Sequence, residues 1–241
     1  MQAKAHKTAL VTGGARRLGS AIALWLAQQG YNIYLHYRHS EDEAHMTAER
    51  IEQLGSSCRL LQADFEKANE LIQMWHLMRK YGLPEIIIHN ASLFVPSPET
   101  DEGDLRLLTR HWNVHVAAPY LLTTLYGRYS NSGLVIFLLD TRIQTIDTQY
   151  FEYWLSKRNS ADLVRGLAKK LAPSIRVNGI APGPILPPDG KDQQYLQQKA
   201  NELPLQQHGS FEDIAHALNY LIVSKFVTGE ILYVDGGAHL R

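Results

Sequence analysis

The sequence predicts an α/β fold: one doubly wound domain in which a seven-stranded parallel sheet carries helices on both faces. Three observations predict it. Short apolar runs rich in branched residues recur along the whole chain. Amphipathic stretches of helical period separate them. The first run breaks into a glycine turn that opens the first helix. Strand alternating with helix requires crossover connections, hence parallel strands with both faces of the sheet covered.

The elements follow in order. Thr8–Val11 is the first strand, and the turn after it leads into a helical pattern over Leu18–Gln29 that Gly30 ends. Asn32–Leu35 and Cys58–Gln62 are the next strands, followed by helical patterns over Glu41–Leu54 and Asn69–Lys80. Pro84 precedes the strand Glu85–His89, and a long helical pattern covers Leu105–Tyr126. Leu134–Leu139, the helix Tyr153–Leu171, the strand Ile175–Ile180 behind Pro173, the helix Phe211–Val223 and the strand Glu230–Val234 complete the alternation. These elements use the whole length, so residues 1–241 read as one domain without linker or repeat. The longest irregular stretch, 182–205, contains Pro184, Pro187, Pro188 and Gly190. A loop of that length in a compact domain is usually a lid or binding segment, here expected to meet the substrate.

Composition narrows the class of partner. Lys plus Arg balances Asp plus Glu at 24 each, so no global field points to nucleic acid or an anionic membrane. Hydrophobic residues make up 45% and charged residues 20% of the 241, which is ordinary for a globular chain with a sizeable core. The single cysteine, Cys58, excludes an internal disulfide and fits a reducing compartment. Met1 to Lys7 is polar with no apolar segment behind it, and no apolar run approaches a membrane span. A cytoplasmic protein acting on small molecules is expected.

The turn Thr12-Gly13-Gly14-Ala15-Arg16-Arg17-Leu18-Gly19 is the most informative stretch. Glycines let the backbone approach a pyrophosphate, and a helix N-terminus supplies free N–H groups and a positive dipole, as in the Rossmann fold. Arg17 stands where the usual fingerprint has its middle glycine, which favours a more negative ligand, NADPH over NADH. Glycine turns also simply join strands to helices. The second strand runs out through Leu35-His36-Tyr37-Arg38-His39-Ser40, with no acidic residue until Glu41. Arg38, His39 and Ser40 are donors suited to a ribose 2′-phosphate, where an acidic residue would instead suit NAD. The plain alternative is a basic loop that meets only water. Asp64 is placed either for an adenine amino group or as a helix cap. At Asn90-Ala91-Ser92 the backbone is again expected close to cofactor. Phe94, just beyond, offers a flat platform to a planar ligand or packs beneath its own loop.

The catalytic candidates are Tyr153 and Lys157. Four-residue spacing stacks them on one helix face, where the ammonium favours the phenolate and the phenol can deliver a proton to an atom receiving hydride. Tyr195 and Lys199 share the spacing but follow no strand end. Tyr153 follows the strand Leu134–Leu139, which runs out at Asp140, so a carboxyl and the Tyr–Lys pair converge on the edge where open parallel sheets bind ligands. His111 and His115 have metal-ligand spacing, yet no third ligand is arranged with them, and no metal is expected.

Over essentially its full length the chain resembles the short-chain dehydrogenase/reductase family. The matching motifs are Thr12-Gly13…Gly19, Asn90-Ala91-Ser92, Tyr153…Lys157, Ala181-Pro182-Gly183 and Val227-Thr228-Gly229…Val234-Asp235-Gly236-Gly237. Within it the chain looks most like the pteridine reductases, in particular the bacterial dihydromonapterin reductase branch, through its arginine-bearing turn, His36-Tyr37-Arg38, Phe94, Asp140 and the ending Asp235 to Arg241. The resemblance implies NADPH held by Gly13, Arg16, Arg17, Leu18, Gly19, Tyr37, Arg38, His39, Ser40, Asp64, Phe65, Asn90, Ala91, Ser92, Tyr153, Lys157, Pro182, Gly183 and Ile185. It implies a dihydropterin against Arg17, Ser92, Phe94, Asp140 and Tyr153, with Asp140, Tyr153 and Lys157 catalytic. It also implies a homotetramer in which the C-terminal Arg241 reaches a neighbouring site. Two departures stand out. Asp140 replaces the family's usual serine and suits a ring nitrogen better than a carbonyl oxyanion. His115 replaces a structural asparagine that helps hold a water chain leading to the lysine. The competing readings are an NADPH-dependent ketone, quinone or 3-oxoacyl reductase, a non-catalytic NADPH sensor, and a purely structural module, which leaves the Arg38 region unexplained.

Overall fold

In a computed structural model, residues 7–97, 104–188 and 190–240 are described. The strands are β1 (Lys7–Val11), β2 (Tyr31–Tyr37), β3 (Cys58–Gln62), β4 (Ile86–His89), β5 (Gly133–Leu138), β6 (Ile175–Pro182) and β7 (Ile231–Val234). The helices are α1 (Arg17–Gln28), α2 (Glu41–Gln53), α3 (Ala68–Tyr81), α4 (Asp104–Trp112), α5 (Ala118–Tyr129), α6 (Phe151–Leu171), α7 (Gln193–Asn201) and α8 (Phe211–Val223). The strands form one sheet of seven in the order β3-β2-β1-β4-β5-β6-β7, and every pairing is parallel. The expected doubly wound fold is therefore the one observed.

Its two faces follow from alternation along the strands. Leu10, Ile87, Val135 and Val177 point to one side and pack with Trp75, Leu122, Tyr126 and Val164 of α3, α5 and α6. Val11, Leu35, Ile88 and Ile136 point to the other and pack with Ile22, Leu26, Ile51 and Leu218 of α1, α2 and α8. The chain winds outward from β1 to β3, then resumes at β4 on the other side of β1. That reversal opens the crevice at the carboxyl ends of β1 and β4 where such sheets bind ligands.

Two expected elements differ. The long helical pattern over Leu105–Tyr126 is interrupted by a π-helical turn, Asn113–Ala117, in which Ala118 N–H reaches back to the Asn113 carbonyl. The stretch 182–205 is not one irregular loop, because α7 lies within it, capped by Asp192, whose side chain accepts from the Gln194 and Tyr195 N–H groups. Only Leu196 and Ala200 of α7 are buried, so its polar run lacks a strong apolar stripe. Among the described residues no helix is long and apolar enough to cross a membrane.

The turn after β1 is tied from two sides. Asn90, just past β4, donates its side-chain amide to the Thr12 and Gly13 carbonyls at 3.0 and 2.9 Å. Thr12 Oγ1 accepts in return from the Asn90 and Ala91 N–H groups, each at 3.0 Å. From β2, His36 Nδ1 accepts from Gly13 N–H at 3.0 Å. That acceptor role puts the ring proton on Nε2, which donates to the Ala63 carbonyl at 3.0 Å. Phe65 stacks on the same ring at 4.2 Å. Burial brings His36 down to about 4, so the imidazole is neutral in the fold.

A neutral buried histidine makes stability pH-dependent with a definite sign. The folded chain takes up the His36 proton only near pH 4, whereas the unfolded chain takes it up near pH 6.5. This contribution is fully present above pH ~6.5 and is lost as the pH falls toward ~4, by on the order of 3 kcal/mol. Denaturant unfolding across that window should show the decline, and H36Q, which cannot titrate, should lose that share of the slope. A decline equally steep in H36Q would refute the assignment.

Candidate active site

The crevice is built where glycines keep the backbone bare. Gly13 has φ +62°, and a Cβ there would lie 2.8 Å from Ala91 Cα. A Cβ on Gly19 would collide with the Gly13 carbonyl and the Asn90 amide. Gly183, after β6, is closed in the same way, 2.7 Å from Asp235 Cα. Arg17, at the fingerprint's missing glycine, takes the left-handed backbone itself, at φ +54°. An arginine there keeps the turn's shape at a steric cost while adding a cation. Its guanidinium reaches across the cleft and donates to the Pro187 carbonyl at 2.7 Å. Arg16 is exposed beside it, and Leu18 packs against the core under α1.

The end of β2 is more crowded than its sequence suggests. Arg38 forms ion pairs with Asp64 at 3.1 Å and Glu66 at 2.8 Å, and Arg110 joins Glu66 at 3.0 Å. Asp64 is neither the cap of α3 nor an unpaired acceptor, since α3 begins behind Lys67. Its carboxylate accepts instead from Glu66 N–H at 3.0 Å while pairing with Arg38. Arg38, His39, Gln62, Asp64, Lys67 and Glu70 line an open recess of about 370 Å³. Ser40 is the N-terminal cap position of α2. Tyr37 and Phe65 are both 6% exposed, so neither ring is open to the recess.

At the other side of the crevice Asp140, Tyr153 and Lys157 come together as expected. The Tyr153 hydroxyl donates to Asp140 Oδ2 at 2.7 Å, and Asp140 Oδ1 accepts from Arg142 N–H at 2.8 Å. Lys157 lies one helical turn on, its Nζ 5.9 Å from the Tyr153 ring centroid and donating to the Leu138 carbonyl at 2.8 Å. Burial and the Asp140 carboxylate push the Tyr153 phenol well above its ordinary value. Burial brings the Lys157 ammonium down to about 8, against Asp140, which raises it. At neutral pH the pair is therefore a protonated phenol beside a cationic lysine.

Phe94 is 42% exposed and stacks on Tyr150 at 4.3 Å; it also meets the Tyr153 ring edge-on at 4.8 Å. The ring is thus half-exposed and stacked on a neighbouring ring rather than packed beneath its own loop. Above this shelf lies Arg142, 4.9 Å from the Phe94 centroid, paired with Asp140 at 3.4 Å and Asp147 at 3.1 Å. Neither Arg142 nor Tyr150 is signalled by sequence, because 140–150 has no period to place them. The spacing Asp140-x-Arg142 at a strand end is the one available cue.

His115 does not face the lysine through a free ring nitrogen. Leu93 N–H donates to its Nε2 at 3.1 Å, with Ser92 Oγ at 3.0 Å from the same atom. The proton therefore sits on Nδ1, which donates to Ser156 Oγ at 2.7 Å, and Ser156 donates onward to the Tyr153 carbonyl at 2.7 Å. This imidazole thus ties the loop bearing Ser92 and Phe94 to the helix bearing Tyr153. His111 stacks on it at 5.5 Å. Among the described residues no group of three or more His, Cys, Asp or Glu could hold a metal.

Ile185 is buried, and Pro182 ends β6. Tyr195 and Lys199 lie on α7, where Lys199 pairs with Glu202 at 3.0 Å, away from these groups. Asp235 holds the C-terminal turn Ala238–Leu240 through the Gly237 and His239 N–H groups, each at 2.9 Å. Arg241 lies outside the described residues.

Known proteins resemble this chain over nearly its whole length. A family model described as Enoyl-(Acyl carrier protein) reductase matches residues 13–239. The chain is 32% identical over 241 residues to a dihydromonapterin reductase of Citrobacter koseri, with 96% of each chain covered. It is 31% identical over 249 residues to one of Escherichia coli, again covering 96% of each. Among solved structures, FolM alternative dihydrofolate reductase 1 from Brucella suis in complex with NADP superposes with a TM-score of 0.89 at 34% identity, covering 98% of this chain and 96% of that one. Acetoin dehydrogenase YohF from Salmonella typhimurium superposes at 0.87 with 26% identity, covering 98% and 97%. Glycine turn, paired Tyr153 and Lys157, and a family match over nearly the whole length make this chain a member of the short-chain dehydrogenase/reductase family.

Proposed function

We propose that this enzyme reduces a dihydropterin to its tetrahydro form with NADPH, Tyr153 delivering the proton while Asp140 and Lys157 set its chemistry. The observation that carries the reading is the 2.7 Å hydrogen bond from the Tyr153 hydroxyl to Asp140 beside the exposed Phe94 ring. The dihydromonapterin reductases among its relatives and the NADP complex of FolM support it.

The residues present fit the cofactor. Gly13, Gly19 and Gly183 pack without a Cβ against Ala91, Asn90 and Asp235, which keeps the glycine turn in the shape that receives a pyrophosphate at a helix N-terminus. Arg38, His39 and Lys67 supply donors to the recess at the β2 end; a 2′-phosphate there would compete with Asp64 and Glu66 for Arg38. When bound, NADPH supplies hydride to the carbon of the substrate C=N bond.

The chain's own groups do the rest. Phe94 offers its ring face to a planar substrate, with Ser92 and Arg17 at its polar edge. Reduction at carbon leaves the adjacent ring nitrogen basic, and that nitrogen takes the Tyr153 proton, so C=N becomes CH–NH. The phenolate this creates is stabilised by the Lys157 ammonium, which offsets the repulsion of Asp140. Asp140 holds the phenolic hydroxyl in place before transfer. An anionic side chain at that position would repel an alkoxide forming from a carbonyl, whereas it attracts the N–H groups of a pterin. That contrast weighs against the ketone or 3-oxoacyl reading, which the structural likeness to acetoin dehydrogenase otherwise keeps in view.

The reading is tested by following NADPH oxidation with dihydromonapterin, dihydrobiopterin, dihydrofolate and a simple diketone in parallel. The fastest turnover should fall on a dihydropterin; turnover of the diketone alone would overturn the proposal. Y153F should lower turnover by about 10²–10⁴-fold, the usual worth of a positioned acid, and leave NADPH affinity within about threefold. D140S should lower dihydropterin reduction far more than diketone reduction. Equal losses on both substrates would remove Asp140 as the discriminating residue.

A further inference from the structure

Behind the catalytic lysine lies a small chamber of about 10 Å³ lined by Thr12, His89, Val114, His115, Phe137 and Lys157 among others. This is just the room that a single buried water needs, provided polar partners face it. Thr12 has none to spare, because Oγ1 donates to the Ile88 carbonyl and accepts from the Asn90 and Ala91 N–H groups. The His115 ring nitrogens are engaged with Ser92, Leu93 and Ser156. Ser160 Oγ directs its proton to the His115 and Ser156 carbonyls and can only accept further. Two other lining groups remain. Lys157 gives one N–H to the Leu138 carbonyl and has donors left over. His89, only 5% exposed, has Nε2 at 2.9 Å from Thr123 Oγ1 and a buried Nδ1 with no partner.

An unpartnered buried ring nitrogen in a water-sized chamber beside an ammonium defines one arrangement. An ammonium only donates, so a water between the two accepts from Lys157 Nζ and turns a proton toward His89 Nδ1. The imidazole then carries its own proton on Nε2 and donates it to Thr123. We propose that His89 is a positioning residue: it lodges one water against Lys157 and thereby stabilises the charged lysine on which proton delivery depends. This deepens the proposed function and rests on its assignment of Lys157.

The charge on Lys157 is balanced among identifiable groups. Asp140 favours it from the end of β5. The buried Tyr153 phenol lies on its own helix, His111 and His115 face it from α4 and the π-helical turn, and His89 faces it from β4. Burial keeps His115 well below its ordinary value and brings His89 to about 3, with His36 lowering it further. All the surrounding imidazoles are thus neutral near pH 7, and a water is the only mobile group the chamber can add.

The test is the pH dependence of kcat/KM with dihydropterin in wild type, H89L, H89Q and K157M, alongside NADPH affinity and thermal unfolding. Loss of Lys157's charge should limit the wild-type rate on the alkaline side. In H89L the ammonium loses its water, so that alkaline limb should move down by about one pH unit, roughly a tenfold rate loss above it. H89Q, which keeps an acceptor, should restore most of the shift, with NADPH affinity unchanged in both. A profile for H89L that superimposes on wild type overturns the proposal, as does an H89Q profile displaced as far as that of H89L. Should leucine prevent folding, H89F gives the same apolar reading. If K157M keeps its activity, the proposed function itself fails; if K157M is inactive while H89L is unchanged, only this inference does.

Discussion

Asn90 is the point on which the rest of the site hangs. Its amide donates to two successive carbonyls of the β1 turn, while the backbone around it feeds N–H groups to Thr12. One side chain therefore fixes the distance between the carboxyl ends of β1 and β4, the strands between which the winding reverses. Everything that must be placed across that gap inherits its precision. Gly13 and Gly19 are bare because Asn90 and Ala91 stand against them, so the turn and the β4 end form one rigid body.

From that frame the site divides into two electrostatic halves. The end of the site beside β2 is a mesh of opposite charges, with Arg38, Asp64, Glu66 and Arg110 joined in series. Charges so arranged are already paired, so Arg38 can meet a further anion only by exchanging partners. The reacting end is sparser. Lys157 and Asp140 flank a phenol, with Arg142 paired to Asp140 and Asp147 beside them, and the histidines packed behind, His89 and His115, are neutral through burial. Their uncharged rings add hydrogen-bonding capacity without altering the net charge beside the reacting atoms.

How much of this can be read from sequence depends on the range of the interaction. The strands stand out because buried parallel strands are short apolar runs, and the Tyr153–Lys157 pair because helical spacing is local. Asp140 is legible for a similar reason, lying just past a strand that is itself evident. Arg142 and Tyr150 are not, since the irregular segment after β5 follows no period. The pairing of Arg38 with Asp64 and Glu66 joins the ends of two strands, and a spacing rule cannot reach across them. Helix α7 escapes notice because its sequence, Gln193 to Asn201, buries only two residues. His36 and His89 show the deepest limit. A histidine that stitches a turn and one that backs a lysine carry the same letter, and only the atoms around each ring tell them apart.

The π-helical turn at Asn113–Ala117 has a consequence for how this chain can change. A wide turn of this kind holds one more residue than an α-helix would, and a residue advances an α-helix by about 100°. Deleting any one position there would regularise the backbone locally. It would also narrow the turn around His115 and disturb that ring's hold on Ser156 and Leu93, the tie between Phe94's loop and Tyr153's helix. The segment therefore tolerates substitutions more readily than changes of length. Attempts to harden the protein by idealising its helices would trade catalytic alignment for rigidity at this one place.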